Sequence, residues 1–114
     1  MAELITTGAW TVDAARQDAF IAAWAAFAER ASSMPGAGTL RLGRDVGDPQ
    51  QFVSLAPWET AEAVRAWKAS PEFRERMAQV LQHVDEFHPA ELDVVATAAD
   101  GASSVVLPAA NTSK

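Results

Sequence analysis

Two tryptophans, Trp58 and Trp67, are the side chains of this sequence best suited to form the wall of a binding cavity. An indole is large and needs a partner for its N–H group when it is buried, and its ring can pack against a flat apolar ligand. Ser54 precedes Trp58 in an apolar segment and could offer a hydrogen bond to a bound molecule. The combination indicates an apolar pocket for a small molecule, with ordinary core packing as the alternative.

The residue types that the sequence lacks exclude several kinds of chemistry. There is no cysteine and no tyrosine, so disulfides, thiolate nucleophiles, iron–sulfur or zinc–thiolate sites and a phenolic proton donor are excluded. The two histidines, His83 and His88, are five positions apart and do not share one helix face as metal ligands at i and i+4 would. We therefore expect no metal site. Redox chemistry would have to come from the substrate, from oxygen or from a bound cofactor.

Charge and length limit the class of protein further. Nine basic residues stand against 15 acidic ones, and a formal charge of −6 disfavours binding to nucleic acid and to anionic membranes. The start, Met1–Leu4, lacks the positive region of a signal peptide, and the apolar run Ala19–Ala28 is too short to span a bilayer. A chain of 114 residues has the size of one domain. We expect a cytoplasmic protein with no nucleic acid or membrane partner.

The first half of the sequence predicts three strands and one long helix, over residues 4–10 (strand), 14–31 (helix), 40–42 (strand) and 52–58 (strand). Asp13 is placed to cap the helix, and Phe20, Trp24 and Phe27 recur at helical spacing on one face. The strand from Phe52 to Trp58 is apolar at both alternating positions. This pattern predicts that one sheet face is covered by helices and the other by a partner.

The second half predicts two helices and a fourth strand. A short helix carries Val64 and Trp67, and Ser70-Pro71 is a helix-start signal. The core stripe of the last helix is expected to comprise Phe73, Met77, Val80, Leu81, Val84 and Phe87. His88-Pro89 should end that helix, and a strand should follow with Leu92, Val94 and Ala96 on one face. The order is that of an α+β, ferredoxin-like β-α-β-β-α-β subunit with an antiparallel sheet.

Several features together resemble the antibiotic biosynthesis monooxygenase (ABM) domain, a family of dimeric α+β barrels. They are the apolar strand that ends in Trp58-Glu59, the short helix, the break Ser70-Pro71-Glu72-Phe73, the Pro35-Gly36 turn and the Arg44-Asp45…Asp48-Pro49 hairpin. The resemblance covers residues 3–98, so we assign residues 1–98 to this domain. Residues 99–114 form a tail, linker-like or docked on the dimer, in which only Val105, Val106 and Leu107 could dock.

The resemblance implies a homodimer with one apolar pocket in each subunit, between the sheet and the helices. It also implies oxidation of a small aromatic or polyketide-derived substrate by O2 without flavin, metal or haem, so no cofactor is expected. No catalytic residue can be assigned. The residues that match the pocket and are expected to bind substrate are Trp24, Phe27, Ser54, Trp58, Val64, Trp67, Phe73 and Met77.

Departures from the family pattern keep two further hypotheses open. The oxygenase branch has an asparagine and a tyrosine where this sequence has Ser54 and Val64, which favours a non-catalytic dimeric small-molecule binder. A haem-degrading branch has a tryptophan where Trp67 stands, but its histidine ligand is replaced by Met77. Haem binding is therefore the third hypothesis, because a thioether can bind haem iron without replacing imidazole in that reaction.

Overall fold

The computed structural model describes residues 3–106, and its backbone confirms the α+β, ferredoxin-like order. A single 3-10 turn, Ala14–Arg16, precedes the first helix, with Asp13 accepting a hydrogen bond from the amide of Ala15. The elements are β1 (Leu4–Thr11), α1 (Gln17–Ser32), β2 (Arg41–Arg44), β3 (Gln51–Trp58), α2 (Ala61–Ala69), α3 (Pro71–Leu81), β4 (Glu86–Asp93), β5 (Ala96–Ala99) and β6 (Ala102–Val105).

The first four strands form one antiparallel sheet in the order β2-β3-β1-β4. In this register Gly8 of β1 lies between Ser54 of β3 and Pro89 of β4. Because side chains alternate between the two faces of a strand, these three residues and their neighbours two positions away face the helices. The register thus brings residues from three distant parts of the sequence to one patch of the sheet.

The core lies between the helix-facing side of the sheet and the three helices. On α1 the predicted stripe of Phe20, Trp24 and Phe27 is buried, as the helical spacing indicated. The ring of Phe20 meets the ring of Phe52 from β3 at a centroid distance of 5.0 Å and that of Trp10 from β1 at 5.4 Å. Aromatic packing of this kind fixes α1 against the centre of the sheet.

The prediction for the last helix was wrong at its C-terminal end. The helix α3 ends at Leu81, and the residues from Phe87 to Pro89 belong to β4. Leu81 is half-exposed, so the buried stripe ends at Val80. Phe87 does contact the core, but it does so from a strand, where its ring stacks on Trp10 at 4.0 Å.

A proline is tolerated in β4 because this strand lies at the edge of the sheet, where a missing N–H group need not interrupt the hydrogen-bond ladder. The interpretation of His88-Pro89 as a helix stop failed for that reason. Leu92 is in β4 as expected, whereas Val94 follows the strand and Ala96 begins β5.

Strands β5 and β6 form a separate two-stranded hairpin that spans the end of the expected fourth strand and the start of the expected tail. The two residues of its turn, Asp100 and Gly101, both have positive φ angles, of 55° and 78°. Such a pair is typical of the type I′ turn, whose twist matches antiparallel strands. The predicted boundary after residue 98 falls inside this hairpin. Leu107, which was expected to be able to dock, lies outside the described residues.

Candidate functional site

A cavity of about 410 Å³ lies between the helix-facing side of the sheet and the helices α1, α2 and α3. Its wall contains all eight residues that the sequence analysis selected: Trp24, Phe27, Ser54, Trp58, Val64, Trp67, Phe73 and Met77. A volume of this size and a mostly apolar wall are typical of small-molecule sites. The structure brings these residues together, and their role in binding stays a prediction.

Two helix caps orient the aromatic wall of the cavity. The Thr60 hydroxyl accepts a hydrogen bond from the amide of Ala63 at 3.1 Å and begins α2, which turns Trp67 inward. The Ser70 hydroxyl accepts from the amide of Phe73 at 3.1 Å and begins α3, as its position before proline predicted. Because α3 starts directly after α2, the rings of Trp67 and Phe73 meet edge to face at 5.5 Å.

Trp10 and Trp58 are the two tryptophans of the cavity wall that come from strands, and both donate their indole N–H groups to side chains of the sheet. Trp10 Nε1 donates to Ser54 Oγ at 3.0 Å, and Trp58 Nε1 donates to Thr6 Oγ1 at 3.2 Å. Thr6 Oγ1 in turn donates to the carbonyl oxygen of Ala56 at 3.5 Å. Ser54 accepts one hydrogen bond from Trp10 and retains its own hydroxyl proton, which can be donated to a ligand.

Gly8 makes room for the hydrogen bond between Trp10 and Ser54. A Cβ atom at this position would lie 2.8 Å from Trp10 Nε1, 2.9 Å from Ser54 Oγ and 2.9 Å from a ring carbon of Phe87. Those distances are below ordinary van der Waals contact, so any larger residue would displace the polar pair or the phenyl ring. A glycine within a strand is a known signal of such close approach, so the sequence does carry an indication of this contact.

One charged side chain contributes to the cavity wall among residues 3–106, and it is Lys68. It follows Trp67 on α2, and its Nζ atom forms an ion pair with Oε2 of Glu91 on β4. The side chains are 39% and 48% exposed, which places the pair at the mouth of the cavity rather than within it. The sequence analysis missed Lys68 because a lysine next to a buried tryptophan has the pattern of an ordinary solvent-facing helix residue.

The other wall residues that the sequence analysis missed come largely from strands, and they include Thr6, Gly8, Trp10, Leu40 and Phe87. Trp10 and Gly8 share one face of β1 with Thr6, so the alternation of that strand would have indicated them once its register was known. Phe87 could not have been found, because its placement depends on β4.

The histidines lie away from this arrangement. His88 is on β4 opposite Ala9, on the sheet face that the helices do not cover, and His83 is partly exposed just after α3. Between residues 3 and 106, no three His, Asp or Glu side chains are grouped so that they could hold a metal ion. In the same part of the chain, none of the helices has the length and apolar character needed to cross a bilayer.

Residues 4–79 match the model of the antibiotic biosynthesis monooxygenase family. The match covers well over half of the sequence, and the chain therefore belongs to this family. The resemblance inferred from the strand, the Trp58-Glu59 pair and the two helix starts is thereby confirmed. No curated protein sequence gives a significant match.

Solved structures with the same fold are similar to this chain at low sequence identity. SnoaB, a cofactor-independent oxygenase from Streptomyces nogalater, is 21% identical and has a TM-score of 0.72, with 81% of this chain and 92% of SnoaB covered. A candidate antibiotic biosynthesis monooxygenase from Caulobacter crescentus is 16% identical with a TM-score of 0.75, covering 82% of this chain and 91% of its own. A conserved protein from Methanosarcina mazei is 14% identical with a TM-score of 0.73, covering 80% and 91%. These similarities show the fold.

Proposed function

We propose that this protein is a cofactor-independent monooxygenase that oxidises a small aromatic or polyketide-derived substrate with O2 in the apolar cavity. The observation that carries the proposal is a cavity of about 410 Å³ with a wall of aromatic rings and very few polar groups, in a chain of the monooxygenase family. The similarity to SnoaB, named as a cofactor-independent oxygenase, supports the same reaction class. We further propose that the protein acts in the cytoplasm.

The chemistry needs no external reductant if the substrate supplies all the electrons. One balanced reaction of this class converts an activated CH2 group and O2 into a C=O group and water. One oxygen atom enters the product, and the other leaves with the two hydrogens of the methylene. The substrate is first deprotonated, and its carbanion or phenolate donates an electron to O2. The protein then has to bind the substrate, favour its anion and exclude water.

The cavity offers groups for two of these tasks. The rings of Trp58 and Trp67 provide apolar surfaces for an aromatic substrate and keep water out. The Ser54 hydroxyl, held by Trp10, can donate a hydrogen bond to an oxygen of the substrate. This donor stands where the oxygenase branch has an asparagine, so it would take over part of the role of that residue.

Oxygen uptake by the purified protein tests the proposal. We expect uptake with hydroquinones, phenols or ketones that carry an activated CH2 group, without added flavin, metal or haem. Val64→Phe should abolish uptake, because Val64 lines the cavity and a larger ring would fill it. Val46→Phe is the matched control, since Val46 is fully exposed in the turn between β2 and β3. Circular dichroism would show that both variants are folded.

The second candidate function is non-catalytic binding of a small aromatic molecule. It is favoured by Ser54 and Val64, which stand where the oxygenase branch has its asparagine and tyrosine. Binding of aromatic ligands to the wild-type protein with no oxygen uptake from any substrate of the panel would support this candidate and overturn the oxygenase.

We also propose that the functional unit is a homodimer, formed through the sheet face that the helices leave open. On this face Val53 and Leu55 of β3 are 50% and 46% exposed, and Leu92 of β4 is 47% exposed. The register places Leu92 beside Ile5 of β1, so an apolar row crosses the sheet. A row of this kind is unfavourable in water, and a second copy of the chain would cover it.

Light scattering at micromolar concentration tests the dimer. The wild-type protein should have the mass of two chains, and Leu55→Asp should lower it to one chain or unfold the protein, because an unpaired carboxylate is costly to bury. Val46→Asp places the same charge at a fully exposed residue and should leave the dimer intact. A stable monomer for the wild type would contradict the proposal.

A further inference from the structure

We propose that Lys68 binds an anionic oxygen of the ligand at the mouth of the cavity, so that the site selects aromatic anions over neutral aromatic molecules. This inference rests on the proposed function of the cavity as a small-molecule site. It assigns to one residue of this chain the task of favouring the substrate's anion, for which the cavity wall otherwise offers no charge within residues 3–106.

The hydrogen-bond inventory of the cavity leaves few groups for a ligand. The N–H groups of Trp10 and Trp58 are already donated to hydroxyls of the sheet. Thr6 Oγ1 accepts from Trp58 and donates to a backbone carbonyl. Among residues 3–106, the other side-chain donors of the cavity wall that can turn to a bound molecule are the Ser54 hydroxyl, the Lys68 ammonium group and the indole N–H groups of Trp24 and Trp67. The ammonium group alone of these is charged.

The present partner of Lys68 does not prevent this role. The side chains of Lys68 and Glu91 are 39% and 48% exposed, and ion pairs with that degree of exposure contribute little to stability. An anion that enters an apolar cavity loses water and gains more from a nearby cation than an exposed carboxylate does. Lys68 can thus share its three N–H donors between Glu91 and the ligand, or exchange one for the other.

The ion pair lies beside the Trp58–Thr6 hydrogen bond of the cavity wall. Glu91 lies opposite Thr6 in the sheet, and Thr6 is the residue that receives the Trp58 N–H group. Lys68 reaches this point from α2, one residue beyond Trp67. A ligand whose ring lies between Trp58 and Trp67 would therefore carry its anionic oxygen toward the ammonium group of Lys68.

The charge of Glu91 acts in the opposite sense. The chain carries a formal charge of −6, which disfavours an anionic ligand at long range, and Glu91 adds a negative charge at the mouth itself. Removal of Lys68 should weaken binding of an anion, and removal of the Glu91 charge should strengthen it. A purely structural link between α2 and β4 predicts that both changes act in the same direction.

The experiment compares naphthoate with the naphthamide of the same substitution pattern, by calorimetric titration at neutral pH. The two probes have nearly the same shape, and only naphthoate is charged. We expect Lys68→Gln to lower the affinity for naphthoate about tenfold, which corresponds to about 1.4 kcal/mol, and to leave the affinity for naphthamide unchanged. Glu91→Gln should raise the affinity for naphthoate. Lys68→Arg should retain the preference for the anion.

Arg65→Gln is the matched control. Arg65 is on the same helix, is 69% exposed, pairs with Glu62 and does not line the cavity. This change removes one positive charge from α2 and should alter neither affinity. Equal losses of naphthoate affinity in Arg65→Gln and Lys68→Gln would show that only the net charge matters, and would overturn the assignment of Lys68.

The remaining outcomes separate this inference from the proposed function. In one outcome the wild type binds both probes, and each of the variants Lys68→Gln and Glu91→Gln weakens the binding of both probes equally. The ion pair is then structural, and the role of Lys68 fails while the proposed function stands. If neither probe binds the wild type, the cavity is not a site for aromatic ligands, and the proposed function fails together with the inference. Binding with the expected preference but without oxygen uptake from any substrate supports Lys68 and leaves the non-catalytic binder as the function.

Discussion

The two ends of the aromatic core differ in how completely they are packed. At one end the exposed fraction of Phe20, Phe52 and Val12 is 2% or less, and these residues do not line the cavity. At the other end Trp58, Trp67, Phe27 and Phe73 are also buried or half-buried, yet they enclose about 410 Å³ of open space. Aromatic residues from β3 and from the helices form both ends. Aromatic residues at helical or strand spacing therefore predict burial, and the register decides whether the rings close on one another or surround a cavity.

We call the end with Phe20, Phe52 and Val12 the solid end and the end that encloses the cavity the hollow end. Trp10 lies at the border between them. Its ring packs on Phe20 at 5.4 Å and on Phe87 at 4.0 Å, while its N–H group donates to Ser54 in the cavity wall. A change in the solid end should act mainly on stability, and a change in the hollow end mainly on ligand binding.

The largest expected effect belongs to the solid end. Phe20→Ala should lower the free energy of unfolding by about 3–5 kcal/mol, because a fully buried phenyl ring is replaced by a cavity. The affinity of the folded variant for naphthamide should remain that of the wild type. Urea unfolding followed by circular dichroism gives the first quantity, and titration of the folded protein gives the second. A large loss of affinity at full folding would break the distinction between the two ends.

Gly8→Ala should produce an intermediate effect on both quantities. The new methyl group would meet Trp10 Nε1 and Ser54 Oγ at less than 3 Å, and overpacking of this kind typically costs about 1–3 kcal/mol. It would also displace the Trp10–Ser54 hydrogen bond that forms the polar part of the cavity wall, so ligand affinity should fall.

Gly43→Ala serves as the control for Gly8→Ala, because Gly43 is also in a strand and its added Cβ would meet only a carbonyl oxygen at 3.9 Å. Thermal melts of the two variants should differ clearly, with Gly43→Ala close to the wild type. Equal melts would show that the strand can relax around Gly8 and that the close contact is unimportant.

The smallest expected effect on stability belongs to the hollow end. Trp67→Phe should lower the free energy of unfolding by less than about 2 kcal/mol, since part of the indole faces the cavity and a ring is retained against Phe27 and Phe73. The affinity for naphthamide should change more than the stability does. Quenching of tryptophan fluorescence by phenols should be blunted in this variant. A stability loss as large as that of Phe20→Ala would mean that Trp67 is ordinary core.

The sequence alone predicted the elements whose signals are local. The spacing of Phe20, Trp24 and Phe27 and the Ser70-Pro71 start depend on residues a few positions apart, and the structure has both. The C-terminal part was mispredicted because the periodicity from Phe73 to Phe87 fits a helix, while the edge of the sheet accommodates Pro89 in a strand. The hairpin around Asp100-Gly101 was missed because its strands consist of small residues with weak strand patterns.

The part of the cavity wall formed by the helices and β3 could be predicted, and the part formed by β1 and β4 could not. Family resemblance indicated the eight residues from α1, β3, α2 and α3, and they share one cavity. Trp10, Thr6 and Lys68 were missed because their relation to the site depends on pairings over 44, 52 and 23 residues of sequence. No local pattern reports such pairings. They arise only when β1 is placed between β3 and β4.

A crystal structure of the wild-type protein with bound naphthoate would decide whether the hollow end of the core is a site for aromatic ligands. We expect the ring to lie between Trp58 and Trp67 and the carboxylate to be within hydrogen-bond distance of Lys68 Nζ. A cavity that holds no ligand at saturating naphthoate, or naphthoate bound only on another surface of the protein, would show that the hollow end is not such a site.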